Sequence, residues 1–340
     1  ASVVIDSPNN TFTAELDNAE LIVLDEQVIS ASNLVVTQVQ SEGTTIAHLT
    51  VTNLVAQLGD SNSKWVTASV DTATMTISSE ATIVYAAGLA INSEIPEFDF
   101  SQESEVNLSL NTGVSDVSLD TGDPQEVLIP AESLTLAGSV DLSVLRQEIS
   151  GDFIFNQVTT SDSQTLVYAE LSAGEVSLSH GTGDSEETAI SATNIAGTLI
   201  ISDRGVVAEL NASSVTLSLS DNITAGADNG FAVSVNTNSE AIAIEVGEET
   251  ISAPAGPFFR VEASNLVLNI DVSGTIYALT SDVAFEQFHG ETEFGETESI
   301  TLLAVQEAEL QLGQQTITDG YGRFLIINSE EGSGIAGSAS

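Results

Sequence analysis

The feature that most limits what this chain can fold into is an alternation that changes phase. Between Phe258 and Ile270, Phe259, Val261 and Ala263 are apolar at odd positions, while Leu266, Leu268 and Ile270 are apolar at even ones. Each half reads as a strand with one buried face. The phase changes once, across Ser264 and Asn265. A straight strand cannot hold all six side chains on one side, because a slip of one residue sends them to the opposite face. The chain must bulge or turn a corner there. Asn suits such a place, since it tolerates left-handed backbone and hydrogen-bonds locally.

The kinked unit recurs along the chain. Ala47, Leu49 and Val51 lead to Leu54, Ala56 and Leu58 across Thr52 and Asn53. Val66, Ala68 and Val70 lead to Ala73, Met75 and Ile77 across Asp71 and Thr72. Ile190 and Ala192 lead to Ile195 across Thr193 and Asn194, and Ile83, Tyr85 and Ala87 begin another unit. The corner from Ala263 to Leu266 repeats that from Ala31 to Leu34 letter for letter, with Asn33 in the place of Asn265. Units start roughly every 20 residues. Aromatic residues are only 5%, and the apolar residues are chiefly Val, Ile, Leu and Ala. That mix suits pleated, half-buried strands, and no window shows a capped helical period.

A longer period lies over the short one. Residues 149–157 resemble 279–287, residues 197–201 resemble 322–326, and residues 205–212 resemble 83–90. These matches set a large repeat of roughly 120–130 residues. They divide the chain into a partial repeat at 1–95 and further repeats at 96–225 and 226–340. The chain opens on Ala1 without an initiator Met, so it reads as processed or cut from a longer array.

Two all-β architectures accommodate a strand that changes phase at a fixed corner. One is a β-solenoid of kinked coils, each about 20 residues long, whose inward residues stack from coil to coil. The other is a tandem set of antiparallel β-sandwiches of about 120–130 residues, in which each unit is a long bulged strand. On the solenoid reading, Asn33, Asn53, Asn194 and Asn265 line up at one corner. Either architecture is an elongated rod.

The pieces Phe259 to Leu268, Gly151 to Gln157 and Gly197 to Ile201 resemble repeats of very long bacterial extracellular proteins of the adhesin-like or calcium-binding surface kind. That resemblance implies extracellular repeats and brings no catalytic residue with it.

Charge narrows the function. Asp and Glu number 50 against 5 Lys and Arg, a net charge of −45. Such a polyanion is unsuited to phosphate contacts with nucleic acid and attracts cations. No apolar run approaches the ~20 residues of a membrane-spanning helix. The absence of Cys removes disulfides, thiolate metal sites and Cys nucleophiles. Carboxylates are too numerous for an acid–base pair to stand out. With one Trp and five cations, the chain lacks the basic and aromatic lining of an enzyme on acidic polysaccharide. His48, His180 and His289 are scattered and read as surface residues.

Calcium is the one cofactor the composition favours, since it takes six to eight oxygens from carboxylates and carbonyls. The polar loops containing Asp120 and Asp123, Asp184, and Asp221 and Asp228 offer such oxygens. Asn107, Asn211 and Asn222 begin Asn-x-Ser/Thr sequons. The expectation is a non-enzymatic structural segment of an extracellular fibre, stalk or sheath, whose partners are flanking repeats or other copies of itself. The alternative is a cell-surface adhesin module binding carbohydrate or another surface.

Overall fold

The computed structural model describes residues 2–6, 11–23, 27–41, 44–60, 63–77, 81–119, 127–160, 164–180, 187–220, 223–227, 231–246, 249–272, 275–291, 297–312, 315–329 and 332–340. Among them the chain is all-β, with no helix. It divides into two compact units. The first comprises Ala1–Ile95, Asp99–Val140 and Phe153–Ala169; the second comprises Pro96–Phe98, Asp141–Asp152 and Glu170–Ser340.

The strands are β1 (Ser2–Asp6), β2 (Thr11–Val23), β3 (Gln27–Ser41), β4 (Thr44–Gly59), β5 (Lys64–Ile77), β6 (Thr82–Ser93), β7 (Phe98–Phe100), β8 (Glu105–Asn111), β9 (Val117–Leu119), β10 (Val127–Ile129), β11 (Ser133–Val144), β12 (Gln147–Thr159) and β13 (Thr165–His180). They continue as β14 (Glu187–Ser202), β15 (Gly205–Ser220), β16 (Ile223–Ala227), β17 (Phe231–Asn236), β18 (Ile242–Val246), β19 (Glu249–Ala253), β20 (Phe258–Val272), β21 (Thr275–Glu291), β22 (Thr297–Leu312), β23 (Gln315–Ser329) and β24 (Gly332–Ala339).

Each kinked unit is one strand that passes through its corner without a break. On β4, Leu49 and Val51 are buried before the corner, and Leu54, Ala56 and Leu58 after it. Asn53 between them has φ 50°. One left-handed residue adds a place to the strand without turning its apolar face to water, which is what the phase change demands. Asn18, Asn194 and Asn265 do the same on β2, β14 and β20, with φ of 54°, 53° and 54°. Gly88, Ala173, Glu307 and Asp319 are also left-handed, on β6, β13, β22 and β23. Asn33 is not among the left-handed residues: on β3 it pairs opposite Asp17 and Thr52.

The corners of neighbouring strands fall side by side. In the first unit, register brings Asn18 beside Ser32, Ser32 beside Asn53, and Asn53 beside Asp71. Within this row Asn53 Nδ2 donates to Ser32 Oγ at 2.7 Å, and beside it Asn33 Nδ2 donates to Glu15 Oε1 at 3.0 Å. In the second unit, Asn194 falls beside Ser213, and Ser264 and Asn265 together oppose Asp282. There the Asn265 N–H donates to Asp282 Oδ1 at 2.8 Å. Strands approach closely at these places. A Cβ on Gly197 would run into the Glu209 carbonyl and Leu210 Cα.

Successive long strands run in opposite directions. In the first unit β1 to β6 pair antiparallel each with the next, β6 pairs with β8, and β8 with β11. In the second, β14 pairs with β15, β15 with β16 and β17, both of those with β20, and β20 to β24 each with the next.

One apolar assignment differs from the sequence pattern. On β6 the buried residues are Val84, Ala86, Leu89 and Ile91, rather than Ile83, Tyr85 and Ala87. Residues 83–87 are apolar at both parities, so alternation alone cannot choose a face there. Ile276 and Ile317 are exposed, each close to the end of its strand.

If left-handed geometry is the reason for Asn53, Asn53→Val will cost about 1–2 kcal/mol more than Asn53→Gly. Urea denaturation of the two variants measures the difference, and equal losses would remove the conformational requirement.

Candidate functional site

The second feature that the strands build is a clamped hairpin, and the chain builds it twice. Asn111 ends β8 and Asn236 ends β17, and both are fully buried. Burying an amide is tolerated only if its hydrogen bonds are made. Asn111 Nδ2 donates to Ser115 O at 2.8 Å and Ile129 O at 3.3 Å, and its Oδ1 accepts from the Gly113 N–H at 2.8 Å. Asn236 Nδ2 donates to Glu240 O at 3.0 Å and Pro254 O at 2.7 Å, and its Oδ1 accepts from the Asn238 N–H at 2.8 Å. The partners lie at the same three offsets from the Asn in each case.

The surroundings repeat as well. Thr112 Oγ1 accepts from the Thr82 N–H at 2.8 Å, and Thr237 Oγ1 accepts from the Val206 N–H at 2.8 Å. The Glu132 N–H donates to Gly113 O, and the Gly256 N–H to Asn238 O. Asn236 lies 125 positions after Asn111, and its network is equivalent bond for bond. Each Asn therefore ties both legs of a short insertion to the end of a long strand. In the first unit the insertion carries the antiparallel pair β9 and β10; in the second it carries β18 and β19. The frame is constant and the hairpin varies. β9 and β10 are three residues each, whereas β18 and β19 are five. Val114 and Leu128 on the first are strongly exposed.

The cations serve the fold where their side chains are bonded. Lys64 Nζ donates to Asp60 O at 2.7 Å. Arg260 lies over the Phe258 ring at 5.4 Å and pairs with Glu286 through Nε at 2.6 Å. Arg146, Arg204 and Arg323 are exposed. Trp65 is buried on β5, and its Nε1 has no acceptor among the described residues. Along the corner between β22 and β23 runs a groove of about 350 Å³, with Glu307, Asp319, Tyr321 and Arg323 in its walls. Both strands skip register there, Ala308 pairing with Gly320, and the bulges leave the opening.

The calcium candidates Asp120, Asp123, Asp184, Asp221 and Asp228 lie outside the described residues. Among the described residues, no three His, Cys, Asp or Glu side chains gather closely enough to hold a metal ion. His48, His180 and His289 lie on β4, β13 and β21, with side chains outside the described set. Of the sequon residues, Asn107 is exposed and accepts from the Gly88 N–H at 3.2 Å, Asn211 is exposed, and Asn222 is outside the described residues. No described helix is long and apolar enough to cross a membrane.

No protein-family model matches this chain, and no curated protein matches it.

Sequence reasoning missed the two clamps. Asn-Thr at 111–112 and at 236–237, each closing an alternating apolar run, is the only signal they leave. Replacing either Asn by Leu strands two carbonyls and one N–H. Each variant should lose about 1–3 kcal/mol per group left unpaired. Thermal melting gives the loss, and hydrogen exchange at 242–246 should rise in Asn236→Leu. A cost at one position and none at the other would end the equivalence of the two networks.

Proposed function

We propose that this chain is a structural segment of an extracellular fibre, stalk or sheath, built from stacked β repeats with an acidic, cation-screened surface. The observation that carries this reading is the second copy of the Asn clamp 125 positions after the first. A catalytic chain needs its special geometry once. A chain that reproduces its internal supports, down to individual hydrogen bonds, is organised to be extended. The mechanism is mechanical: backbone ladders supply continuity, and aliphatic faces held through each corner supply stiffness.

The strand directions favour the sandwich-type repeat of about 120–130 residues over a coil stack. A coil that returns to its starting edge lays successive units parallel. Hairpin-linked units run alternately up and down, as the pairings of β2 to β6 and of β20 to β24 do.

A net charge of −45 opposes compactness and lateral contact. Cations reduce that repulsion, and the acidic stretches with Asp120 and Asp123, Asp184, and Asp221 and Asp228 are where calcium would act. A second reading, a surface adhesin, draws on the hairpins, which differ in length while their clamps do not. Variable loops on a fixed scaffold are the usual way to build recognition.

Electron microscopy of native material separates the two. Filaments or a sheath are expected, and isolated molecules that bind a glycan array and lose binding with EDTA would favour the adhesin. Added salt should raise the melting temperature by screening. Calcium at matched ionic strength should raise it further, and an unchanged melting point would remove specific calcium stabilisation.

A further inference from the structure

The hairpin held by Asn236 has an inner strand and an outer one. β19 lies beside β15 and β17, and its Ile251 and Ala253 are buried. β18 lies on the far side, and among the described residues it pairs with β19 alone. Its outer edge belongs to an insertion within the repeat. β17 and β20 pair directly with each other, so the main sheet runs on past the insertion without using that edge.

One bond fixes which backbone groups point outward. The Ser252 N–H donates to Glu209 Oε1 at 3.3 Å, so it points away from β18. Orientation alternates along a strand, and residues opposite one another in an antiparallel pair either bond each other or both turn outward. Ser252 is opposite Ala243, Ile251 opposite Ile244, and Thr250 opposite Glu245. Ile244 therefore bonds β19, while the N–H and C=O groups of Ala243 and Glu245 point outward from β18. The side chains alternate as well. Ala243 and Glu245 are exposed on one face; on the other, Ile242 is buried and Ile244 and Val246 are half-buried.

Proteins keep sheet edges from other chains with Lys, Pro, bulges or covering segments. β18 has no Lys, no Pro and an unbroken register. Its one charge is Glu245, and exposed Glu240 lies just before the strand. A second copy would bring like carboxylates together under a net charge of −45 on each chain, so self-pairing at this edge is repelled. The same charge attracts a cationic strand. Next to Ile244 and Val246 such a strand needs apolar side chains, and next to Glu245 it needs Lys or Arg.

We propose that the outer edge of β18 binds an extended segment of a basic partner protein, in which apolar residues alternate with Lys or Arg, as a third strand of the hairpin. Backbone bonds at Ala243 and Glu245 give affinity, and the alternation gives specificity. The contact goes beyond the structural-segment reading and does not depend on it, since a filament and an isolated molecule present the same edge.

The probe is the acetylated and amidated peptide Val-Lys-Val-Lys-Val-Lys-Val. The control is Pro-Lys-Pro-Lys-Pro-Lys-Pro, which has equal charge and cannot donate a strand ladder. In a calorimetric titration the Val peptide should bind about tenfold more tightly than the Pro peptide. Hydrogen exchange read residue by residue on the unaltered chain should slow at Ala243 and Glu245 when the Val peptide is added. It should stay the same at Ile244, which already bonds β19. Ala243→Pro removes one outward donor and leaves the β19 ladder and the charge unchanged. It should weaken binding about tenfold, the effect of one hydrogen bond. Glu245→Gln should weaken it about threefold, because an exposed ion pair contributes little. Equal binding of the two peptides, or exchange that does not slow at Ala243 and Glu245, means attraction to the acidic surface only and overturns the proposal. So does a folded Ala243→Pro variant that binds as the parent does. Should that variant fail to fold, the exchange pattern of the unaltered chain decides. Loss of this contact leaves the filament test untouched.

Discussion

The structure depends on keeping one face of a long strand buried through a corner. Strands of 12 to 17 residues, such as β6 and β21, are too long to stay straight in a compact sheet, and side chains alternate strictly along them. A bend made without an extra residue would bring Leu54, Ala56 and Leu58 onto the wrong side of β4. Burial of a single Leu contributes about 1.5–3 kcal/mol. The left-handed conformation at Asn53 costs less than that, so the strand bends there and its neighbours bend beside it. The row of Asn, Ser and Asp side chains along the corners is the local consequence. At the corners the regular ladder is interrupted, and short polar side chains meet backbone groups there: Ser32 bonds the Thr52 carbonyl, Asn107 the Gly88 N–H and Asp282 the Asn265 N–H.

That solution repeats, and so does the means of closing it. The buried Asn at the end of β8 and its counterpart at the end of β17 are the most demanding polar groups in the described structure, because all their bonds must be made at once. Once made, they fix both legs of an insertion whose middle is free to vary. The rigid part is thereby separated from the variable part. The same separation underlies both functional readings: a fibre uses the frame, and an adhesin would use the hairpin.

Charge acts on a different scale. A net charge of −45, with 50 carboxylates to five cations, gives far more acids than cations to pair with them, and in the pair of Arg260 with Glu286 the Arg lies over a buried Phe. Cohesion comes from aliphatic burial and backbone ladders, neither of which salt screens, while the acidic surface governs how copies approach one another.

The sequence by itself determined that the chain is all-β, that its strands change phase at corners, and that Asn53, Asn194 and Asn265 mark them. It also showed the matches between residues 197–201 and 322–326, and between 83–90 and 205–212, which fall on corresponding strands. These were legible because alternation and turn chemistry are local. Tertiary structure alone decided the strand directions, since a phase change reads the same whether the next strand runs up or down. It also decided the face of β6, where apolar residues occupy both parities and only the neighbouring strand selects Val84 and Ala86. The phase changes at Ala173 and between Val305 and Ala308 were legible too, but that Ala173 and Glu307 take the left-handed backbone there was not, because neither residue type prefers it. The clamps at Asn111 and Asn236 join groups up to 18 residues apart, and no spacing rule in the sequence reaches that far.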